Sequence, residues 1–351
     1  MSSINVASWP GYGVTHNPFI GLFLKGLETA GCSITSLDNI EACGTTKADI
    51  LLIHWPELAF GEARSKHQMI QKPLALISAL ARRPTTVKVV WLVHNIEPHD
   101  AKRLSRVIWP VYVKALARQT DAFMTLSPGT VAQVRTVLPG LARKPALGLW
   151  HPAYPGARLS ADERSAARRA MGWNGAERVL GYCGQIRPYK GVEELIAAFR
   201  QIANPDLRLF LAGRTRTPEY ATLLKTTAAS DPRIVLQLGD LSPEAFRTAL
   251  GVCDVTVAPI RSYLHSGSIV HALSAGRPVL TPETPFSAAL QDLLGADWLR
   301  LYDGTMTPYL LEAATSVAQP AHGPDLSAME PALVGADAAK FFEALANETD
   351  P

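Results

Sequence analysis

The chain has 351 residues, 47% of them hydrophobic and 19% charged, which exceeds the usual size of one domain and leaves enough apolar side chain for well-buried cores. A net charge of +3, with no recognisable nucleic-acid-binding module, sets nucleic acid aside as a partner. Cys32, Cys43, Cys183 and Cys253 form no CxxC pair, the opening MSSINVASWP lacks a basic stretch followed by an apolar run, and no apolar run approaches about 18 residues; a reducing cytoplasmic setting without a membrane span is expected.

INVASW opens the chain as a strand, and after the loop PGYGVTHNP the segment FIGLFLKGLETAG reads as a helix ending on Gly31. ADILLIHW is a second strand, ISALARR a helix, and VKVVWLVHN a third strand whose continuous apolar run implies burial on both faces. A helix over 103–119 and the strand DAFMTLS follow, so parallel βαβ order is the economical reading of residues 1–150. The stretch LARKPALGLWHPAYPGARLS, rich in Pro and Gly, reads as the linker out of this domain.

The alternation then restarts: strand ERVLGYCG, helix GVEELIAAFRQIA, strand LRLFLAG, helix TPEYATLLKTTAAS, strand RIVLQLG, helix PEAFRTALGVC, strand VTVAPI, short helix SGSIVHALSAG, strand PVLTP and helix FSAALQDLLG. LLEAATSVA and DAAKFFEALA are the last helices, closing the second domain (151–351) or packing back on the first. The expected architecture is α/β, two Rossmann-like doubly wound domains facing a cleft, with ligands outside the carboxyl ends of the strands.

Basic residues cluster in the first half. No carboxylate occurs between Glu62 and Glu97, and residues 101–120 carry five Lys or Arg and no acid, interleaved with Trp109 and Tyr112. Peripheral contact with an anionic membrane through residues 64–88 and 101–118, cations outward and aromatics at the interface, is one reading. A solvated helical face packed on the sheet is the other.

Residues 180–199, LGYCGQIRPYKGVEELIAAF, place a glycine, an Arg and a Lys between a strand and a helix. A diphosphate requires backbone N–H donors, the positive end of a helix dipole and fixed cations, and this loop offers all three. Gly184, Arg187, Lys190 and Gly191, followed by LFLAG ending at Gly213, resemble the C-terminal domain of GT-B glycosyltransferases. The resemblance implies that Arg187 and Lys190 hold the diphosphate of a nucleotide-sugar donor, with no metal or other cofactor.

Residues 254–283 resemble the donor loop and following helix of the same superfamily, with Pro259 at the sugar loop, Ser266, Gly267 and Ser268 at a phosphate-receiving helix start, and Gly276 and Pro278 closing the helix. The retaining branch of that superfamily carries two glutamates here, the second on the ribose hydroxyls. Tyr263 and His271 occupy those positions, so a retaining mechanism is not expected and His271 meets the ribose differently or not at all.

HWPE (54–57) and HNIEPHD (94–100) follow the second and third strands and resemble bacterial exopolysaccharide glycosyltransferases that build repeat units on a polyprenyl diphosphate carrier. That resemblance implies an inverting enzyme peripheral on the inner face of the membrane, with a lipid-linked oligosaccharide acceptor. Such a transfer requires one general base, and His16, Glu57 and Asp100 are the candidates, with Glu97 behind them. His54 and His99 read as structural, Trp55 and Trp91 as packing, and Trp150 as a platform for an acceptor sugar. Glu97 beside His94 and His99 lacks the partners of a typical metal site.

Arg261, beside Pro259, suits the carboxylate of a glucuronate, which makes UDP-glucuronate the preferred donor over GDP-mannose and UDP-glucose. A nucleotide-sugar epimerase and a sugar-nucleotide-binding protein without turnover are the alternatives of other classes.

Overall fold

The computed structural model describes residues 3–13, 17–61, 65, 67–97, 103–173, 175–261, 263–317, 320 and 322–348, without the side chains of Gly61 and residues 103–105. The chain forms two compact units: residues 1–152, 263–265 and 327–351 make the first, and 153–262 with 266–326 the second.

In chain order the first unit runs β1 (Asn5–Trp9), α1 (Pro18–Thr29), β2 (Ser33–Ser36), β3 (Ile50–Ile53), α2 (Leu58–Gly61), α3 (Gln68–Arg82), β4 (Lys88–Leu92), α4 (Arg103–Gln119), β5 (Ala122–Thr125), α5 (Val131–Val137) and β6 (Ala146–Gly148). Its six strands are all parallel, in the order β2-β1-β3-β4-β5-β6. Alternate residues of the buried strands supply two cores. Ala7, Leu51, Ile53, Val89 and Trp91 meet Leu76 and Leu80 of α3 and Leu116 of α4 on one face. Val6, Ile50, Leu52, Val90 and Leu92 meet Phe19, Phe23 and Leu27 of α1 on the other.

The second unit runs α6 (Ala161–Ala170), β7 (Arg178–Cys183), α7 (Val192–Phe199), β8 (Leu207–Gly213), α8 (Pro218–Ala228), β9 (Ile234–Leu238), α9 (Pro243–Val252), β10 (Val255–Val257), α10 (Gly267–Ser274), β11 (Val279–Pro282), α11 (Pro285–Leu294), β12 (Leu299–Tyr302) and α12 (Pro308–Ser316). Its parallel sheet has the order β12-β11-β10-β7-β8-β9. The chain moves outward from β7 in one direction and then restarts at β10 on the other side, so the crevice expected of a doubly wound sheet opens at the carboxyl ends of β7 and β10. In the first unit the same reversal falls between β1 and β3.

The last helix, α13 (Pro331–Asn347), belongs to the first unit, where Val334, Ala338, Phe342 and Leu345 join the core under α1. The crossing is close: a Cβ on Gly335 would strike the carbonyl carbon of Gly26, and one on Gly26 the Pro331 carbonyl oxygen, which leaves no room for a side chain at either glycine.

Three short strands depart from the sequence expectations. β2, with the burial pattern of a surface edge, and β12 were not anticipated, and β6 lies inside the stretch read as a linker. Edge strands need no continuous apolar run, which is why the pattern passed over them.

Candidate functional site

The strand β7 delivers the chain into a loop built around glycine. Gly184 has φ +142°, and Gly213, at the end of neighbouring β8, has φ +136°; a Cβ on Gly213 would strike the Gly184 carbonyl oxygen. Gly213 therefore acts on the donor loop through its backbone, letting the ends of β7 and β8 meet, with Gly184 N donating to Ala212 O at 2.9 Å. Gly191, at φ +72°, caps α7 and lies against Pro259, whose carbonyl oxygen would be 2.7 Å from an added Cβ. A Cβ on Gly184 would stand 3.6 Å from that of Ser268 in the first turn of α10. The loops after β7 and β10 are thus brought together, as the strand order requires.

Two cations lie in that crevice. Arg187 is 8% exposed and donates to Gln185 Oε1 at 3.0 Å. Lys190 is held down to about 8, first by burial and second by the Arg187 guanidinium. A buried guanidinium and a half-buried ammonium next to each other repel, so the unliganded loop carries a cost that a bound polyanion would remove. Across from them Ser266 caps α10, accepting from Ile269 N, and its Oγ lies 2.9 Å from Ser268 Oγ. The first amides of a helix have no intrahelical partner and favour an anion.

Two expected contacts are engaged otherwise. Arg261 donates to Glu194 Oε1 at 2.8 Å and to Gly304 O at 2.6 Å, while Glu194 also accepts from Met306 N at 2.9 Å. This guanidinium ties the sugar loop to α7 and to the turn after β12. His271 is stacked face to face on Tyr154, with centroids 3.9 Å apart and planes 9° apart, and meets the edge of Phe246 at 4.8 Å. An aromatic packet stands where the retaining enzymes place a carboxylate.

In the first unit the polar groups gather at the carboxyl edge of the sheet. Glu57, past β3, is half-buried and accepts from Asn95 Nδ2 at 2.6 Å. Burial pushes its carboxyl above the ordinary range, against the Asn95 hydrogen bond. His16, Asp100 and His99 lie outside the described residues.

His54 follows β3, His94 follows β4 and His151 follows β6, all of them buried. His54 Nδ1 lies 3.1 Å from His94 Nε2, and His94 Nδ1 lies 3.4 Å from Nε2 of His265. Trp55 stacks on His94 at 4.2 Å and adopts φ +35°, a left-handed conformation that costs a residue with a Cβ about 1–2 kcal/mol. This histidine cluster was not foreseen. The signal was present, because ILLIH, VWLVH and LGLWH each end a strand on a histidine. Among the described residues no group of three or more His, Cys, Asp or Glu is arranged to hold a metal.

The expectation that Trp109 and Tyr112 face a membrane is corrected. They are 5% and 4% exposed, and each fixes a rim loop: Trp109 Nε1 donates to Ile96 O, and Tyr112 OH to Pro56 O, both at 3.0 Å. Spacing decides it, since 109, 112 and 116 fall on the helical face that covers the sheet. The outward face of α4 instead carries Val107, Val111, Arg106, Lys114 and Arg118. Trp150 lines a cavity of about 470 Å³ with Leu147, Lys340 and Phe341.

Residues 177–297, the segment that holds both donor loops, match the family described as glycosyl transferases group 1. Along most of its length the chain is similar to the GDP-mannose:glycolipid 4-beta-D-mannosyltransferase of Xanthomonas campestris pv. campestris, 27% identical over 309 residues, 87% of this chain and 82% of the relative. The chain is a glycosyltransferase. Its fold is GT-B: the structure of Anabaena HepE in complex with UDP aligns with a TM-score of 0.64 at 14% identity, covering 99% of this chain and 98% of that one. WaaG, a glycosyltransferase involved in lipopolysaccharide biosynthesis, aligns at 0.59 and 14%, covering 99% and 96%. A second mannosyltransferase, the GDP-mannose-dependent monoacylated alpha-(1-6)-phosphatidylinositol monomannoside enzyme of Corynebacterium glutamicum, is 24% identical over 54% of this chain and 49% of its own.

Proposed function

We propose that this glycosyltransferase is an inverting, metal-independent enzyme that moves mannose from GDP-mannose to a lipid-linked sugar. The observation that carries the donor-site reading is the buried Arg187 and the half-buried Lys190 beside the Ser266–Ser268 helix start, a site whose charge suits a nucleoside diphosphate without a cation. Mannose is favoured over glucuronate for two reasons. The relatives along most of the chain and along half of it are both GDP-mannose enzymes. Arg261, the residue that suggested a glucuronate carboxylate, is already paired with Glu194.

In the reaction the acceptor hydroxyl oxygen attacks the anomeric carbon, the bond from that carbon to the diphosphate breaks, and GDP departs with its charge met by Arg187 and Lys190. The hydroxyl proton passes to a base. Glu57 is the candidate whose setting is described, and burial makes its carboxylate more basic while Asn95 orients it. An Asp or His base in the same unit would serve the same chemistry.

Titration of GDP-mannose, UDP-glucuronate and UDP-glucose, with and without EDTA, tests the reading. GDP-mannose is expected to bind tightest, unaffected by EDTA, and Arg261→Ala is expected to leave its affinity within about threefold. Selective UDP-glucuronate binding that disappears in Arg261→Ala would restore the glucuronosyl reading.

Acceptor access fits a peripheral membrane enzyme. No described helix is long and apolar enough to cross a membrane. α3 and α4 share one core, and their outward faces expose Ile70, Leu74, Val107 and Val111 among cations. Sedimentation with anionic vesicles is expected to be lost in Val107→Glu/Val111→Glu and weakened by salt. Equal sedimentation of the variant and the parent would remove this surface from the proposal.

A further inference from the structure

The carboxyl ends of β7, β8 and β9 repeat one arrangement. Each strand runs into a glycine of positive φ, Gly184 at +142°, Gly213 at +136° and Gly239 at +142°, and each glycine is followed by a polar residue: Gln185, Arg214 and Asp240. The three ends stay bonded through these turns. Gly184 N donates to Ala212 O at 2.9 Å, and Gly239 N to Gly213 O at 3.0 Å. One step further, Ile186 N donates to Arg214 O at 2.9 Å and Ile186 pairs with Thr215, so the segment that begins at Arg214 lies alongside the turn that leads to Arg187. All of these residues belong to the second unit.

The glycines form a shelf beside the cations of the donor loop. A Cβ on Gly239 would meet nothing within 4 Å, so the shelf is open at the end of β9. Gln185, at the end of β7, accepts from Arg187. The next two positions carry a guanidinium and a carboxylate side by side, Arg214 Nη1 lying 3.4 Å from Asp240 Oδ1, with 62% and 80% of the two side chains exposed. A contact of that length between two solvated groups contributes little to the fold. Both groups keep most of their hydrogen-bonding capacity for a ligand.

Strand order decides which part of the ligand reaches them. On the donor-site reading the diphosphate meets Arg187, Lys190 and the Ser266 helix start at the crevice between β7 and β10, and the loop after β10 is the sugar side. The nucleoside therefore leaves on the other side, over β8 and β9. Neighbouring strands stand about 4.8 Å apart, so the end of β9 is about 10 Å from that of β7, the reach of a nucleoside from its phosphate to the far edge of its base.

Taken in order, an Arg214 N–H and the two carboxylate oxygens of Asp240 present one donor and then two acceptors. The pairing edge of guanine is their complement, because O6 accepts while N1–H and the 2-amino group donate. Uracil presents O4, N3–H and O2, which sets its last carbonyl against a carboxylate oxygen. Adenine sets its 6-amino group against the guanidinium. We propose that Asp240 and Arg214 are the specificity-determining pair for the base of the donor, Asp240 accepting from guanine N1–H and the 2-amino group and Arg214 donating to O6. The assignment rests on the GDP-mannose reading and gives the choice of guanine over uracil a cause in two residues of this chain.

Competition binding of four nucleoside diphosphates tests it. Inosine diphosphate (IDP) lacks only the 2-amino group of GDP, and xanthosine diphosphate (XDP) carries a carbonyl in its place. The parent is expected to prefer GDP to IDP by about tenfold and to UDP by more. Asp240→Asn keeps one acceptor for N1–H and turns an amide N–H toward position 2. It is expected to weaken GDP by about 10- to 100-fold and to tighten XDP by about tenfold or more, so that XDP overtakes GDP, with UDP within about threefold of the parent. Arg214→Met is expected to weaken GDP and IDP by the same factor, about tenfold, because both carry O6. A gain for XDP cannot come from a damaged protein. A parent that prefers UDP would overturn the GDP-mannose reading and this pair with it. A parent that prefers GDP, with the ratio of GDP to XDP affinity unchanged in Asp240→Asn, would overturn the pair alone. Equal losses for all four nucleotides in Asp240→Asn would reduce Asp240 to a support of its loop and also overturn it.

Discussion

Replacing Lys190 with methionine is expected to weaken GDP binding about 100-fold and, in the same protein, to raise the melting temperature of the unliganded enzyme. Both effects come from one cause. Burial and the Arg187 guanidinium lower the Lys190 ammonium from 10.5 to about 8, so between those values the unfolded chain binds more protons than the folded one. The cost of keeping the ammonium charged is fully present below pH 8, no more than about 3 kcal/mol, and it disappears as the pH rises towards 10.5. Methionine keeps the stem and removes the charge, and a gain of about 1–2 kcal/mol would raise the melting temperature by several degrees at pH 7. A diphosphate bound at this site would pull the ammonium back up, taking in about half a proton at pH 8 and more at pH 9. Calorimetry of GDP binding in buffers of different ionisation enthalpy measures that uptake. Binding without proton uptake and with unchanged affinity in Lys190→Met would show that the diphosphate sits elsewhere.

The donor loops were legible because their chemistry is local. Gly184, Arg187, Lys190 and Gly191 stand within one βα turn, and Ser266 and Ser268 within one helix start, so spacing alone displayed a glycine-rich cationic turn and a capped anion-receiving turn. The Arg261–Glu194 pair was not legible, because 67 residues separate its partners and only the strand order brings α7 under the sugar loop. The histidine chain fails in a different way. Each histidine was visible at the end of its strand, yet weighed singly it reads as a structural hydrogen-bonding residue. Its meaning depends on β3 and β4 being neighbours in the sheet and on residues 263–265 joining the first unit. The aromatic face of α4 was readable and was misread: charge density suggested an interface, whereas the spacing of Trp109, Tyr112 and Leu116 already pointed inward. The start of α6 carried a full capping box, Ser160 with Glu163, a signal that outlines a helix in a segment with little apolar periodicity.

Acidification is expected to unfold this enzyme well before its carboxylates titrate. His54, His94 and His151 are neutral in the folded protein to far below the 6.5 of a free histidine, whereas all three charge at ordinary pH once the chain unfolds. A base with a lowered folded pKa contributes fully above its unfolded value, and that contribution is lost as the pH falls below about 6.5, towards about 3 for His54 and about 4 for His151. At pH 5 the loss is about 2 kcal/mol for each of His54 and His151, and His94 adds to it in the same direction, which together is on the scale of the total stability of an ordinary domain. Glu57 opposes this, because a carboxyl raised by burial binds its proton more readily folded than unfolded, but it is one group against three. Asp254 adds to the loss only lower down: burial raises its carboxyl, but Val179 N–H with Arg168 and Arg164 outweighs this and holds it below 3.8. Urea unfolding at pH 7, 6 and 5 should therefore show stability falling by several kcal/mol, with a shallower fall in His151→Asn, whose side-chain amide can still donate to the Pro152 carbonyl. Stability independent of pH over that range would mean that the imidazoles are charged or hydrated in the folded enzyme.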